Sequence, residues 1–122
     1  MNASQIAAKA ERKIAASKKE LEAWQVEFQK NPSYAFSNAD EAMKASAMLA
    51  ISVAILTRVQ NVIAFPEREI TLKNIKATLI DRLLTDSSYP ETSSGLTTNQ
   101  MKRCEIAALA WCLREWFEEV TE

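Results

Sequence analysis

Apolar residues recur along the first part of the chain at alternating steps of four and three residues, the spacing of one helix face. This spacing predicts a first helix from about Ala3 to Gln29. Asn2 fits its cap, because Gln5 stands three residues later as in a capping box. Asn31-Pro32 ends the helix, since the residue before a proline avoids the α region. The stripe resembles a heptad seam, as in coiled-coil-like packing, and consists of Ala10, Ile14, Ser17, Leu21, Trp24 and Phe28.

The first predicted helix contains one candidate break point. Ser17 is followed three residues later by Glu20, and this pair also fits a capping box. A helix that begins again near Ser17 is therefore the alternative to one continuous helix.

A second helix is predicted to start after Ser37 or Asn38 and to continue to about Ala64, where Phe65-Pro66 stops it. Its most apolar window has about twelve residues, whereas a membrane span needs about twenty, so we expect a core helix and no membrane contact. Apolar stripes on two faces predict more than one packing neighbour. One stripe is Met43, Ala47, Ala50 and Ala54, and the other is Met48, Ile51, Ile55, Val59 and Val62.

The third predicted helix is shorter and runs from a Thr71 cap through Thr85, although Pro66 could instead open it as a first-turn proline. A loop of about twelve residues, Asp86 to Thr97, follows and contains Pro90 and Gly95. The apolar positions of the third helix are Leu72, Ile75, Leu79 and Leu83.

The fourth predicted helix starts at a Thr97–Gln100 capping box and runs nearly to the end of the chain. Its main apolar seam is Ile106, Leu109, Leu113, Trp116 and Val120. Nothing alternates with period two over a strand's length. The sequence therefore predicts an all-α fold, a single-domain four-helix bundle spanning 1–122, with up-down-up-down topology and long first, second and fourth helices.

The composition excludes several kinds of chemistry. The chain has 122 residues with one glycine and no histidine, where average usage would give roughly eight or nine glycines. Phosphate-binding glycine loops, catalytic triads and ordinary catalytic zinc sites are therefore absent as sequence patterns. The formal net charge of −1 gives no global attraction to nucleic acid or to anionic membranes.

The cysteines and the first residues indicate the compartment. Cys104 and Cys112 would lie roughly 12 Å apart along one helix axis, too far for a disulfide. We expect two small buried side chains in a reducing environment. Met1 to Glu20 contains no continuous apolar stretch like that of a secretory signal. The predicted location is the cytoplasm.

Charged residues cluster at the helix ends that the helix dipole disfavours. Bases gather at the start of the first helix and acids at the end of the fourth, and an up-down-up-down bundle would bring these ends together. We expect the clusters to face one another, within one chain or across a dimer, and to fix helix pairing. The alternative is two solvated faces, because exposed ion pairs contribute about 0 to 1 kcal/mol. The acidic patch is Glu115, Glu118, Glu119 and Glu122.

Two rival functions follow from these charges. A nucleic-acid-binding accessory protein would use the basic start of the first helix and the entry of the fourth. A Mg²⁺-dependent nucleotide hydrolase would use the acidic patch, but its carboxylates lie mostly opposite the apolar seam, so we expect no enzyme, no metal and no cofactor. The candidate basic patch is Lys9, Arg12, Lys13, Lys18, Lys19, Lys102 and Arg103.

The fourth helix carries a second apolar stripe to one side of its main seam, made by Cys104, Ala107, Ala108 and Trp111. A helix with two apolar faces has two packing partners, and Trp111 is a natural anchor if the second partner is another chain. Within one bundle, the first and second helices could instead cover one stripe each. The favoured prediction is a small non-enzymatic protein that acts by protein–protein contact, as a homodimer, adaptor or inhibitor.

Overall fold

The structure is a computed structural model that describes residues 1–88 and 96–120, with the side chains at positions 96 and 97 excepted. All regular elements in these ranges are helices, which confirms the all-α class. Five helices are described, so the predicted number of four is wrong. They are α1 (Ala3–Lys30), α2 (Pro32–Ser37), α3 (Ala39–Ala64), α4 (Leu72–Ser88) and α5 (Leu96–Trp116).

The capping box at the start of α1 is confirmed. The Asn2 backbone N–H donates to Gln5 Oε1 and the Gln5 backbone N–H donates to Asn2 Oδ1, both at 2.9 Å. Two donors that the helix itself leaves unpaired are thereby satisfied. The alternative of a break near Ser17 is wrong, because α1 continues through this residue, which is buried and only 2% exposed.

A six-residue helix, α2, lies where the sequence predicted only a connection. Pro32 does end α1, but it also occupies the first turn of α2, where its missing N–H costs no hydrogen bond. Asn31 serves both helices. Its backbone N–H donates to the Glu27 carbonyl at 2.7 Å, and its side chain accepts from the Tyr34 N–H at 3.3 Å.

An aromatic cluster fixes α2 against the end of α1. The Trp24 indole Nε1 donates to the Ala35 carbonyl at 3.1 Å. Trp24 stacks on Phe28 with ring centroids 5.4 Å apart, and Phe28 lies 6.1 Å from Phe36. Phe28 was predicted to lie in the core seam, yet it is 37% exposed and packs between Trp24 and Phe36 in this cluster.

The predicted limits of the remaining helices are right in part. The second predicted helix matches α3, and α4 begins after Thr71 rather than at Pro66, with the Asn74 N–H donating to Thr71 Oγ1 at 3.2 Å. The predicted loop is shorter at both ends, since α4 continues to Ser88 and α5 starts at Leu96. Pro90 and Gly95, both predicted to lie in this loop, are outside the described residues. The side chain of Thr97, the predicted cap of the last helix, is not described either.

The core lies where α1, α3 and α5 meet, with α4 packed mainly against α5. Short-range van der Waals contacts among close-packed side chains and burial of apolar area stabilise it. The largest fully buried side chains are Ile6, Ile51, Ile55, Val59, Leu109, Cys112 and Phe117.

Within the described ranges, α3 is the one helix whose length and apolar composition would suffice to cross a membrane, with a hydropathy of 1.7 over its most apolar window. The core helix of a soluble protein has the same properties. Several α3 residues pack into the core, among them Ala47, Ile51 and Ile55.

Candidate interaction groove

An open groove of about 540 Å³ runs between α3 and α5. All four residues of the predicted interaction surface line it, and the opposite wall belongs to α3, which matches the second predicted helix. That wall consists of Lys44 and Met48. The complete lining is Lys44, Met48, Gln100, Arg103, Cys104, Ala107, Ala108 and Trp111.

Small side chains form the floor of this groove. Ala108 is buried, Ala107 is exposed and Cys104 is half-buried. Neither alanine extends beyond Cβ, so another helix could approach the α5 backbone closely at this level. Met48 adds a flexible apolar wall, and its Sδ lies 3.9 Å from Cys112 Sγ.

Trp111 separates this groove from a second one of about 330 Å³ between α1 and α5. Lys13 Nζ lies 4.6 Å from the centroid of the Trp111 ring, a cation–π contact. Trp116 meets the same ring edge-on at 5.6 Å. Trp111 is therefore held on two sides and presents a fixed apolar surface to the groove. The second groove is lined by Lys9, Arg12, Lys13, Ala16, Trp111, Glu115 and Trp116.

The seven candidate basic residues do not line one common surface. Lys9, Arg12 and Lys13 line the second groove, and Arg103 lines the first. Lys102 lines a separate cavity between α4 and α5 that also contains Arg82, Asp86 and Glu105. Lys18 and Lys19 are exposed further along α1.

The charged side chains that line the groove between α3 and α5 are basic. Among the described residues of the lining they are Lys44 and Arg103, and none is acidic. Lys44 donates to Glu41 at 3.3 Å on the exposed surface of α3, and this hydrogen bond, followed by the attraction of the same carboxylate, raises the pKa of Lys44. An occupant that carries carboxylates beside apolar side chains would complement this lining.

The acidic patch is divided by the end of α5. The helix was predicted to run nearly to the end of the chain, but it ends at Trp116. Residues 117–120 form a turn instead. Glu115 is on the helix, whereas Glu118 and Glu119 lie in the turn, and Glu122 lies outside the described residues. The helical spacing that would aim these carboxylates at one metal is therefore absent. No group of three metal-binding side chains occurs in the described part of the chain.

The start of α1 lies beside the end of α5. The Met1 ammonium group donates to the Glu119 backbone carbonyl, and the bases of α1 share the second groove with Glu115. Among the described side chains, no ion pair joins these bases to Glu115, which pairs instead with Arg114 at 3.6 Å. In the described part of the chain, the bases of α1 and Glu115 are therefore neighbours without a direct ion pair.

The two cysteines occupy different environments, and both are free. Cys112 is fully buried, as predicted, and burial raises the pKa of its thiol to about 12. Lys13 and the neighbouring Ser52 hydroxyl oppose this rise. Cys104 is half-buried in the groove rather than enclosed, because nothing in the described chain covers that side of α5.

Two further apolar surfaces were not predicted from the sequence. Phe36, 73% exposed, extends the aromatic cluster at the end of α1 into solvent. Ile63 on α3 and Leu84 on α4 are also exposed. Helical periodicity marked apolar positions on α3 and α4, but it does not show which neighbour covers them.

The sequence matches no known family, and no curated protein and no solved structure matches it. What the chain does must follow from the chemistry of its own surfaces. Of these surfaces, the groove between α3 and α5 combines an apolar floor, a tryptophan side chain contacted on two sides and two basic side chains.

Proposed function

We propose that this chain acts by binding a protein surface in the groove between α3 and α5, without catalysing a reaction. The supporting observation is the stripe of Cys104, Ala107, Ala108 and Trp111, which faces a 540 Å³ groove that no described helix fills. An apolar groove with a fixed aromatic wall suits the anchors of a docked helix. Contact with a partner would remove this apolar surface from water.

The same proposal includes an up-down-up-down arrangement of α1, α3, the shorter α4 and α5. Lys13 on Trp111 and Met1 on Glu119 support opposite directions for α1 and α5. The free cysteines support a reducing compartment, the cytoplasm.

Site-specific photocrosslinking in the native cell tests this function. A photoreactive amino acid at Ala107 should give discrete protein adducts, because this exposed position lies on the groove floor. The matched control is Ala77, an exposed alanine on α4 outside the groove, which should give none of these adducts. If the two positions gave the same adducts, or neither gave any, protein binding in the groove would be excluded.

Nucleic-acid binding is the second candidate, because Lys9, Arg12 and Lys13 share an exposed groove beside Trp111. It predicts measurable affinity near about 100 mM salt with a steep dependence on salt concentration. Protein binding in the first groove predicts no such affinity.

A further inference from the structure

The second groove, between α1 and α5, concentrates positive charge on a small surface. Three bases of α1 line it at helical positions i, i+3 and i+4, so they lie within roughly one turn of each other. They are Lys9, Arg12 and Lys13. Glu115 is the one acidic side chain among the described residues of the lining, and it pairs with Arg114 at 3.6 Å. The bases of this groove therefore outnumber its acids.

This arrangement of charge is unfavourable for α1 on its own. Lys9 and Lys13 are like charges four residues apart, and such pairs destabilise a helix. In the described part of the chain, no carboxylate forms an ion pair with Lys9, Arg12 or Lys13. A bound anion would offset the repulsion among the three bases.

Two of the three basic side chains are positioned by contacts within the chain. Arg12 Nε donates to the Ala8 carbonyl at 3.4 Å, which uses one of the five N–H donors of the guanidinium group. Lys13 is half-buried, with its Nζ 4.6 Å from the centroid of the Trp111 ring. Side chains that are already positioned lose less conformational entropy when a ligand binds. The groove therefore presents two positioned cations beside the exposed Lys9.

The extent of the groove limits the size of the anion that it fits. Its volume is about 330 Å³, near the lower end of the range for small-molecule sites. The other candidate bases do not continue it: Lys18 and Lys19 lie further along α1 outside its lining, and Lys102 and Arg103 line other cavities. A nucleic-acid strand gains affinity from phosphate contacts along a track of bases, whereas a compact anion needs only one cluster.

We propose that the groove between α1 and α5 binds a compact polyphosphate anion, inorganic or carried by a small organic molecule. Arg12 binds phosphate oxygens through its guanidinium fork, and Lys9 and Lys13 neutralise the remaining charge. This site lies apart from the protein-binding groove between α3 and α5 and does not depend on it. It assigns to the three bases a ligand that is smaller than a nucleic-acid strand.

Calorimetric titration with sodium tripolyphosphate tests this site. At about 0.15 M salt the screening length is about 8 Å, so direct contacts outweigh distant charges. The unaltered chain should bind one anion per chain. The double variant with Lys9→Gln and Arg12→Gln should bind roughly tenfold more weakly, because two charged contacts to phosphate are lost.

The matched control is the double variant with Lys18→Gln and Lys19→Gln. It removes the same number of charges from the same helix, and both residues are exposed and outside the groove lining. They lie six and seven residues beyond Arg12, roughly 9 Å or more along the axis, so the dissociation constant should change by less than about twofold. Circular dichroism should show equal helix content in all three proteins. Equal weakening in the two double variants, or no binding to the unaltered chain, would overturn the proposal.

Two further titrations distinguish the possible sources of phosphate. Adenosine triphosphate should bind in the same way as tripolyphosphate and should be weakened by the same double variant at Lys9 and Arg12. A single-stranded oligonucleotide that bound while tripolyphosphate did not would assign the groove to nucleic acid, and the proposal would fail. None of these results bears on the groove between α3 and α5, which the photocrosslinks at Ala107 test separately.

Discussion

The two sides of α5 use the same kinds of residue and differ in what lies against them. On the closed side, Cys112 is fully buried in the core, and Ala108 at the inner edge of the groove floor is only 5% exposed. On the open side, Ala107 is exposed and Cys104 is half-buried at the groove. One helix therefore carries an alanine and a cysteine in each environment. The comparison shows that burial follows the neighbouring helices and not the residue type.

The largest effect should come from the closed side. Leu109→Ala removes a fully buried side chain and leaves a cavity, so the free energy of unfolding should fall by about 2–5 kcal/mol. The matched control is Leu84→Ala, because Leu84 is 63% exposed and should change the free energy by under about 0.5 kcal/mol. Urea unfolding followed by circular dichroism measures both. Equal losses would show that the interior is not packed as described.

Adding volume distinguishes the two alanines directly. Ala108→Leu should lower the free energy of unfolding by about 1–3 kcal/mol, because Ala108 is only 5% exposed and a larger side chain would overpack its surroundings. Ala107→Leu extends into the open groove and should change it by under about 0.5 kcal/mol. The same urea titrations compare the two variants. The closed-and-open distinction fails if Ala107→Leu is the more damaging change.

Burial of the Cys112 thiol should make the stability of the fold depend on pH in the alkaline range. In the unfolded chain the Cys112 thiol ionises near its ordinary pKa of 9.0, whereas in the folded chain it stays protonated to about 12. The unfolded state therefore binds fewer protons in this window, and stability should fall by about 1.4 kcal/mol per pH unit as the pH rises from 9 towards 12. Below pH 9 the contribution is fully present.

Unfolding titrations across this pH range isolate the Cys112 contribution. Cys112→Ala should reduce the alkaline slope by the share of one proton relative to the unaltered chain. The difference between the two slopes is the readout, because every other ionisable group is common to both proteins. Identical slopes in the two proteins would contradict burial of Cys112.

Local signals allowed the helix limits to be predicted well. The Asn2–Gln5 capping box, the Thr71 cap and the stop at Phe65-Pro66 each depend on neighbouring residues alone, and the structure bears them out. The α2 helix was missed because a proline that ends one helix also fits the first turn of another. The neighbouring residues alone do not show whether Pro32 only ends α1 or also begins α2.

Only the α5 side of the groove could be predicted from the sequence. The second stripe on α5 is visible in the sequence, since it follows from helical periodicity. The wall formed by Lys44 and Met48 depends on how α3 packs across a long separation in sequence, and no local pattern specifies this. For the same reason the turn after Trp116, which divides the acidic patch, was not foreseen: apolar spacing continues to Val120 although the helix does not.

Asn31 has a consequence for how the length of this chain can change over evolution. Asn31 is both the C-cap of α1 and the N-cap of α2, so the connection between the two helices consists of this one residue. One inserted residue there would rotate α2 by about 100° and move the Ala35 carbonyl and Phe36 away from Trp24 and Phe28. Residues 65–71 are non-helical, and all of them are exposed except Thr71, which is half-buried. An insertion in this segment would leave the helices on either side in place. Length variation should therefore accumulate between α3 and α4, while the junction at Asn31 keeps a constant length.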